Sequence, residues 1–131
     1  MKKDLTVPMD VRFADLDMYG HVNSTTFFTY METARVKLFM DTFQELTKRG
    51  VLLVVVSAEC NYKKEIFLND KVFVTVSLDK VGNTSFDLKY DIHNGEGKIF
   101  AVGKTTLVAI DAKKKMPMQL PEEVLNMAKN E

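Results

Sequence analysis

The chain has 131 residues, a length that suits one domain over 1–131 and that buries enough surface to fold without a disulfide or metal staple. Lys+Arg and Asp+Glu each total 18, so no net field draws the protein onto nucleic acid or an anionic membrane. Apolar residues make up 46% and charged residues 27%, the balance of a soluble globular protein.

One cysteine, Cys60, excludes an intramolecular disulfide, and the two histidines lack zinc-ligand spacing, so no metal or cofactor is expected. From Met1-Lys2-Lys3-Asp4 onward no hydrophobic run has the form of a signal peptide or membrane span. The expected location is cytoplasmic.

Leu5 to Phe13 reads as a first strand, with Pro8 favouring a sheet edge where a missing N–H is tolerated. Asp15 to Ser24 is a polar loop. Phe27, Phe28, Met31, Ala34, Leu38 and Phe39 then recur at helical spacing, with Ser24, Thr25 or Thr26 as candidate N-caps. The pattern breaks near Asp41, and Thr42 with Glu45 can form a capping box for a second short helix that ends at Lys48-Arg49-Gly50.

Val51 to Ala58 is almost continuously apolar, the pattern of a strand covered on both faces. Val72, Val74, Val76 and Leu78 alternate with Phe73, Thr75 and Ser77. Gly82-Asn83 marks a turn. Phe86, Leu88, Tyr90 and Ile92 alternate with polar residues up to a hairpin turn at Asn94-Gly95. Ile99 to Ile110 is the last strand, and Pro121-Glu122-Glu123 starts a terminal helix. The order is strand, long helix, four strands. The economical way to bury one long apolar helix is an antiparallel sheet curled around it, an α+β hotdog architecture of five strands.

The chemistry concentrates in Asp15-Leu16-Asp17-Met18-Tyr19-Gly20-His21-Val22-Asn23, between a strand and a helix start. The first helical N–H groups lack intrahelical partners and can stabilise an oxyanion. A carboxylate just before them can attack a carbonyl carbon or activate water, and Gly20 lets the backbone approach a ligand. A second reading fits the same residues: Asp15, Asp17 and Asn23 as turn and cap residues that satisfy backbone N–H groups.

Val11-Arg12-Phe13-Ala14-Asp15-Leu16-Asp17-Met18-Tyr19-Gly20-His21-Val22-Asn23 resembles the signature of the 4-hydroxybenzoyl-CoA thioesterase-like family. Phe27-Phe28-Thr29-Tyr30-Met31-Glu32-Thr33-Ala34-Arg35 resembles that family's central helix. Tyr62-Lys63-Lys64-Glu65-Ile66-Phe67-Leu68-Asn69-Asp70 resembles its link between second and third strands, and Met116 to Glu123 its tail.

The resemblance implies hydrolysis of an acyl-CoA or acyl-carrier-protein thioester to a carboxylic acid and a thiol. It makes Asp17 the nucleophile or general base and puts the polarising amide at Ser24. His21 and Asn23 resemble the His and Asn of an Asp-His-Asn loop in acyl-carrier-protein thioesterases, where a second asparagine stands in place of Ser24. A hotdog dehydratase or hydratase, or a non-catalytic acyl-CoA-binding module, would share the fold.

The resemblance also implies a homodimer, and leaves room for a dimer of dimers, with Val51–Ala58 as the edge strand that pairs with its mate. The loop near Asp17 then faces the partner, whose Ser57, Glu59 or Tyr62 helps place water or acyl chain. Tyr19, Gly20, Phe27 and Phe28 are further candidates for the substrate site, and Lys63 and Lys64 for coenzyme A phosphates. Blander roles compete: Glu32 paired with Arg35, Glu59 with a cross-strand lysine, Phe27, Phe28 and Met31 as core, Cys60 as an inert small residue, and the lysines as solvated surface.

Overall fold

The computed structural model describes residues 5–127; the Met1-Lys2-Lys3-Asp4 start lies outside them. In chain order the elements are β1 (Thr6–Met9), a 3-10 turn (Phe13–Asp15), α1 (Ser24–Lys48), β2 (Val51–Tyr62), β3 (Val72–Val81), β4 (Ser85–His93), β5 (Ile99–Asp111), β6 (Met116–Pro117) and α2 (Glu122–Met127). The strands form one antiparallel sheet in the order β1-β3-β4-β5-β2, and the two-residue β6 pairs with the end of β5. This is the expected hotdog arrangement, α1 lying against the sheet.

The alternation in the sequence explains the core. Val72, Val74 and Val76 of β3, Phe86, Leu88, Tyr90 and Ile92 of β4, and Ala101, Leu107 and Ala109 of β5 are buried on the helix side. From α1 they meet Phe27, Tyr30, Met31, Ala34, Phe39 and Leu46. Polar groups inside are paired: Arg35 donates to the Tyr90 hydroxyl, which shares a hydrogen bond with Thr105. Arg35 thus reaches across to the sheet instead of turning back along α1 to Glu32.

Four expectations change. The first strand stops at Met9, because the Asp15 carboxylate reaches back to the Arg12 backbone N–H and winds Phe13–Asp15 into a 3-10 turn. Helix α1 runs unbroken past Asp41 to Lys48. Phe39, Phe43 and Leu46 keep its apolar stripe on the core, so Thr42 and Glu45 lie inside the helix and cap nothing. Its N-cap is Asn23, whose side-chain oxygen accepts from the Thr25 N–H. Finally, β2 is covered on neither face along most of its length. Among the described residues it pairs with β5 alone, and Leu52, Val54, Val55 and Val56 are 38–58% exposed.

The helix packs tightly on the sheet at Gly103 of β5. A Cβ there would stand 2.6 Å from the Met31 sulfur and 3.2 Å from the Glu59 carbonyl oxygen. Met31 is fully buried and has little room to yield, and the carbonyl belongs to the sheet backbone. Gly103→Ala is therefore expected to lower stability by about 1–3 kcal/mol through overpacking. Urea unfolding followed by circular dichroism measures the loss.

Candidate active site

The loop between the 3-10 turn and α1 folds back on itself as a short ladder. The Asp15 carbonyl accepts from the Asn23 N–H at 2.8 Å, Leu16 bridges Val22, and the Asp17 N–H donates to the His21 carbonyl at 2.7 Å. At the tip, the Gly20 N–H returns to the Asp17 carbonyl. Gly20 has φ +82°, and no atom lies within 4 Å of where its Cβ would stand. The left-handed turn therefore calls for glycine here. The ladder is pinned at Val22, whose N–H donates to the carbonyl of the fully buried Ile66 at 2.8 Å.

The two aspartates, two residues apart, have different surroundings. Asp15 is 3% exposed. One carboxylate oxygen accepts from the Tyr30 hydroxyl at 2.8 Å and the Arg12 N–H at 3.0 Å; the other accepts from the Arg12 guanidinium at 2.9 and 3.2 Å. Burial pushes its pKa up, but the hydrogen bonds from Arg12 and Tyr30 outweigh that and hold it below the usual carboxylate value. Burial, together with the bond to Asp15, raises the Tyr30 hydroxyl well above its ordinary value.

Asp17 is half-buried. Its Oδ1 accepts from the backbone N–H groups of Tyr19 at 2.9 Å and His21 at 3.2 Å. Among the described residues, Oδ2 has no protein donor. Both oxygens of Asp15 are thus taken up by protein donors, whereas among the described residues Asp17 keeps one oxygen free of them.

The same accounting can be done for the helix start. The Asn23 N–H goes to Asp15, the Thr25 N–H to the Asn23 side chain, and the Thr26 N–H to the Asn23 carbonyl at 2.9 Å. Among the described residues the Ser24 N–H has no acceptor, so it is a free donor at the positive end of a 25-residue helix.

A pocket of about 440 Å³ brings these groups together. Asp17, His21, Asn23, Ser24, Phe27, Tyr62, Lys63 and Lys64 all line it, with Val22 and Glu65. Tyr62 ties the end of β2 to the start of α1: its hydroxyl donates to the Ser24 carbonyl at 2.8 Å, and its ring meets Phe27 edge-on at 5.0 Å. Burial, foremost, raises the Tyr62 hydroxyl pKa. His21 stands edge-on to Phe67 at 5.0 Å, with Nε2 3.8 Å from a Glu65 carboxylate oxygen.

Other candidates lie elsewhere. Tyr19 is 74% exposed at the loop tip and, like Gly20, does not line the pocket. Phe28 faces a separate groove of about 230 Å³ with Met31, Arg35 and Val55. Ser57 and Glu59 sit further along β2, and Glu59 pairs with Lys104 directly opposite on β5 at 3.8 Å. Burial raises the Cys60 thiol, which disfavours the nucleophilic thiolate.

Glu65 and the Arg12–Asp15–Tyr30 cluster were missed from sequence. A signal for the cluster was present, since Tyr30 places a hydroxyl on the buried stripe of α1 and needs a partner. Among the described residues no group of three or more His, Cys, Asp or Glu is arranged to hold a metal ion.

Comparison with known proteins places this chain in a family. The chain is 32% identical over 117 residues to the long-chain acyl-CoA thioesterase FadM of Escherichia coli, covering 87% of this chain and 89% of that one. The crystal structure of YbaW, a probable thioesterase from Escherichia coli, superposes with a TM-score of 0.88 at 30% identity, over 95% of this chain and 98% of that one. A thioesterase from Thermus thermophilus, solved with coenzyme A and zinc, superposes at 0.81 with 34% identity, over 94% and 95%. Residues 11–127 match the profile of the thioesterase-like superfamily, and the chain belongs to that superfamily.

Proposed function

We propose that the protein hydrolyses acyl-coenzyme A thioesters, with Asp17 as the reacting carboxylate and the Ser24 N–H as the oxyanion donor. One observation carries the reading: an uncommitted carboxylate oxygen and an uncommitted helix-start N–H line the same pocket. FadM, a long-chain acyl-CoA thioesterase, and the coenzyme A complex of the Thermus protein support the substrate class.

In the general-base route, Asp17 Oδ2 takes a proton from water as the water oxygen bonds to the carbonyl carbon. The carbonyl electrons move onto its oxygen, which the Ser24 N–H stabilises. Collapse breaks the carbon–sulfur bond, and the thiolate takes the proton from Asp17. In the nucleophilic route the same Oδ2 attacks the carbonyl carbon, and the carbon–sulfur bond breaks to release the thiolate and leave a mixed anhydride. Water then hydrolyses the anhydride to the carboxylic acid and free Asp17, its proton passing to the thiolate. Both routes need the oxygen that the Tyr19 and His21 amides leave free.

Phe27 and Val22 offer the acyl group apolar lining, and His21 and Glu65 add polar lining to the same pocket. Asn23 serves by fixing the first turn of α1. Lys63 and Lys64 suit the phosphates of coenzyme A.

The working unit in this reading is a dimer through β2. A 12-residue edge strand with exposed Leu52, Val54, Val55 and Val56 invites pairing, and a symmetry mate satisfies it from one self-complementary surface. The partner's strand would then bring Ser57 and Glu59 within reach of the site.

Asp17→Asn preserves size and removes basicity, so kcat should fall about a hundredfold or more while KM changes little. Thiol release from a panel of acyl-CoAs measures this, and near-normal turnover would sink the assignment. Ser24→Ala keeps the amide and should be mild. Ser24→Pro removes it and should cost roughly a hundredfold or more in kcat, the scale of an oxyanion-hole donor. Proline is accepted in the first turn of a helix, so a folded, inactive variant is the expected result. Val55→Glu places a charge on the strand edge and should convert the dimer to an inactive monomer. Sedimentation of the unaltered protein as a fully active monomer would exclude the shared site.

A further inference from the structure

The Arg12–Asp15–Tyr30 cluster stands just outside the pocket. Asp15 does not line it and faces instead a shallow groove with Arg12, Thr29, Tyr30 and Thr33. Yet Asp15 is the base of the ladder that carries Asp17. Its carbonyl takes the N–H of Asn23, the residue that caps α1, while its carboxylate takes the hydroxyl of Tyr30, about two turns further along the same helix. The loop is therefore fastened to α1 at two points, both through Asp15. Arg12 holds the carboxylate from the opposite side with three donors.

A buried carboxylate with four hydrogen bonds and a net downward pKa is anionic at neutral pH, so the joint is charge-assisted and rigid. Asp17 has no comparable anchor: its side-chain partners are amides of its own loop. Its place relative to the Ser24 N–H is then set through Asp15.

We propose that Asp15 and Tyr30 are positioning residues: the Tyr30 hydroxyl, through the Asp15 carboxylate, holds the Asp17 loop in register with the first turn of α1. This rests on Asp17 being the reacting carboxylate. Releasing the joint leaves the pocket walls in place and lets Asp17 drift from the oxyanion donor. An error of about 1 Å in such a pair can cost on the order of a hundredfold.

Tyr30→Phe deletes the hydroxyl and keeps the ring. Steady-state kinetics on the acyl-CoA turned over fastest in the panel should show kcat down about tenfold or more and KM within about twofold. The affinity for a non-hydrolysable thioether analogue should be unchanged. In an Asp17→Asn background Tyr30→Phe should reduce the residual turnover no further, because the carboxylate to be positioned is gone; a general loss of folded protein would still lower it.

Asp15→Asn is the second variant. It removes a buried charge as well as a bond, so circular dichroism is measured for both variants. Full kcat in folded Tyr30→Phe, with Asp17→Asn inactive, overturns the positioning role alone. Normal turnover by Asp17→Asn overturns the assignment of the carboxylate and the positioning role with it. No thiol release from any acyl-CoA by the unaltered protein overturns both together with the proposed function.

Discussion

Helix α1 packs so closely on the sheet that Gly103 has no space for a methyl group beneath Met31, and the rest of the molecule is arranged around that contact. A 25-residue helix buries Phe27, Met31, Ala34, Phe39 and Leu46 along one side, and one curled sheet covers them. Once the helix is seated, its N-terminus has a fixed address beside the end of β2. Tyr62 holds the Ser24 carbonyl, and Phe27 packs on the Tyr62 ring. A helix start needs acceptors for its free N–H groups. Asn23 satisfies two of them and leaves Ser24 unsatisfied. The unsatisfied donor follows from how the cap is built.

The same economy separates Asp15 from Asp17. Burial is costly for a carboxylate unless every oxygen is bonded, and Asp15 meets that condition through Arg12 and Tyr30. Asp17 stays half in solvent, where one free oxygen costs little. A single loop thus holds one carboxylate fully bonded within the fold and one that, among the described residues, keeps an oxygen without a protein donor, the oxygen to which the proposed reaction is assigned.

Strand β2 carries an opposite tension. Its side chains are as apolar as those of a buried strand, yet in one chain it lies at the sheet edge with its face open. The extra residue at Val56, where the register with β5 shifts, adds local twist without closing that edge. The proposed pairing with a second copy would resolve the conflict, and would do so beside the Asp17 pocket, because β2 ends at Tyr62 on the pocket wall.

Much of this was legible in the sequence. Period-two alternation marked β3, β4 and β5, helical spacing marked α1, and the polar run from Asp15 to Asn23 marked the site, because local patterns report which face each element buries. Family resemblance pointed to Asp17 and Ser24 as candidates, and both line the pocket beside the helix start. The sequence could not say which aspartate would be committed to structure, because that depends on Tyr30 arriving from α1, fifteen residues on. Nor could it say that α1 continues through Asp41, since an exposed polar residue looks the same at a helix end and on a solvent face. The apolar run in β2 reported burial without its source. What only the tertiary structure decided were pairings between distant segments: Tyr62 with Ser24, Val22 with Ile66, Gly103 with Met31. Local sequence fixes what each segment must bury, whereas packing in three dimensions decides which donors and acceptors are used up and which remain for chemistry.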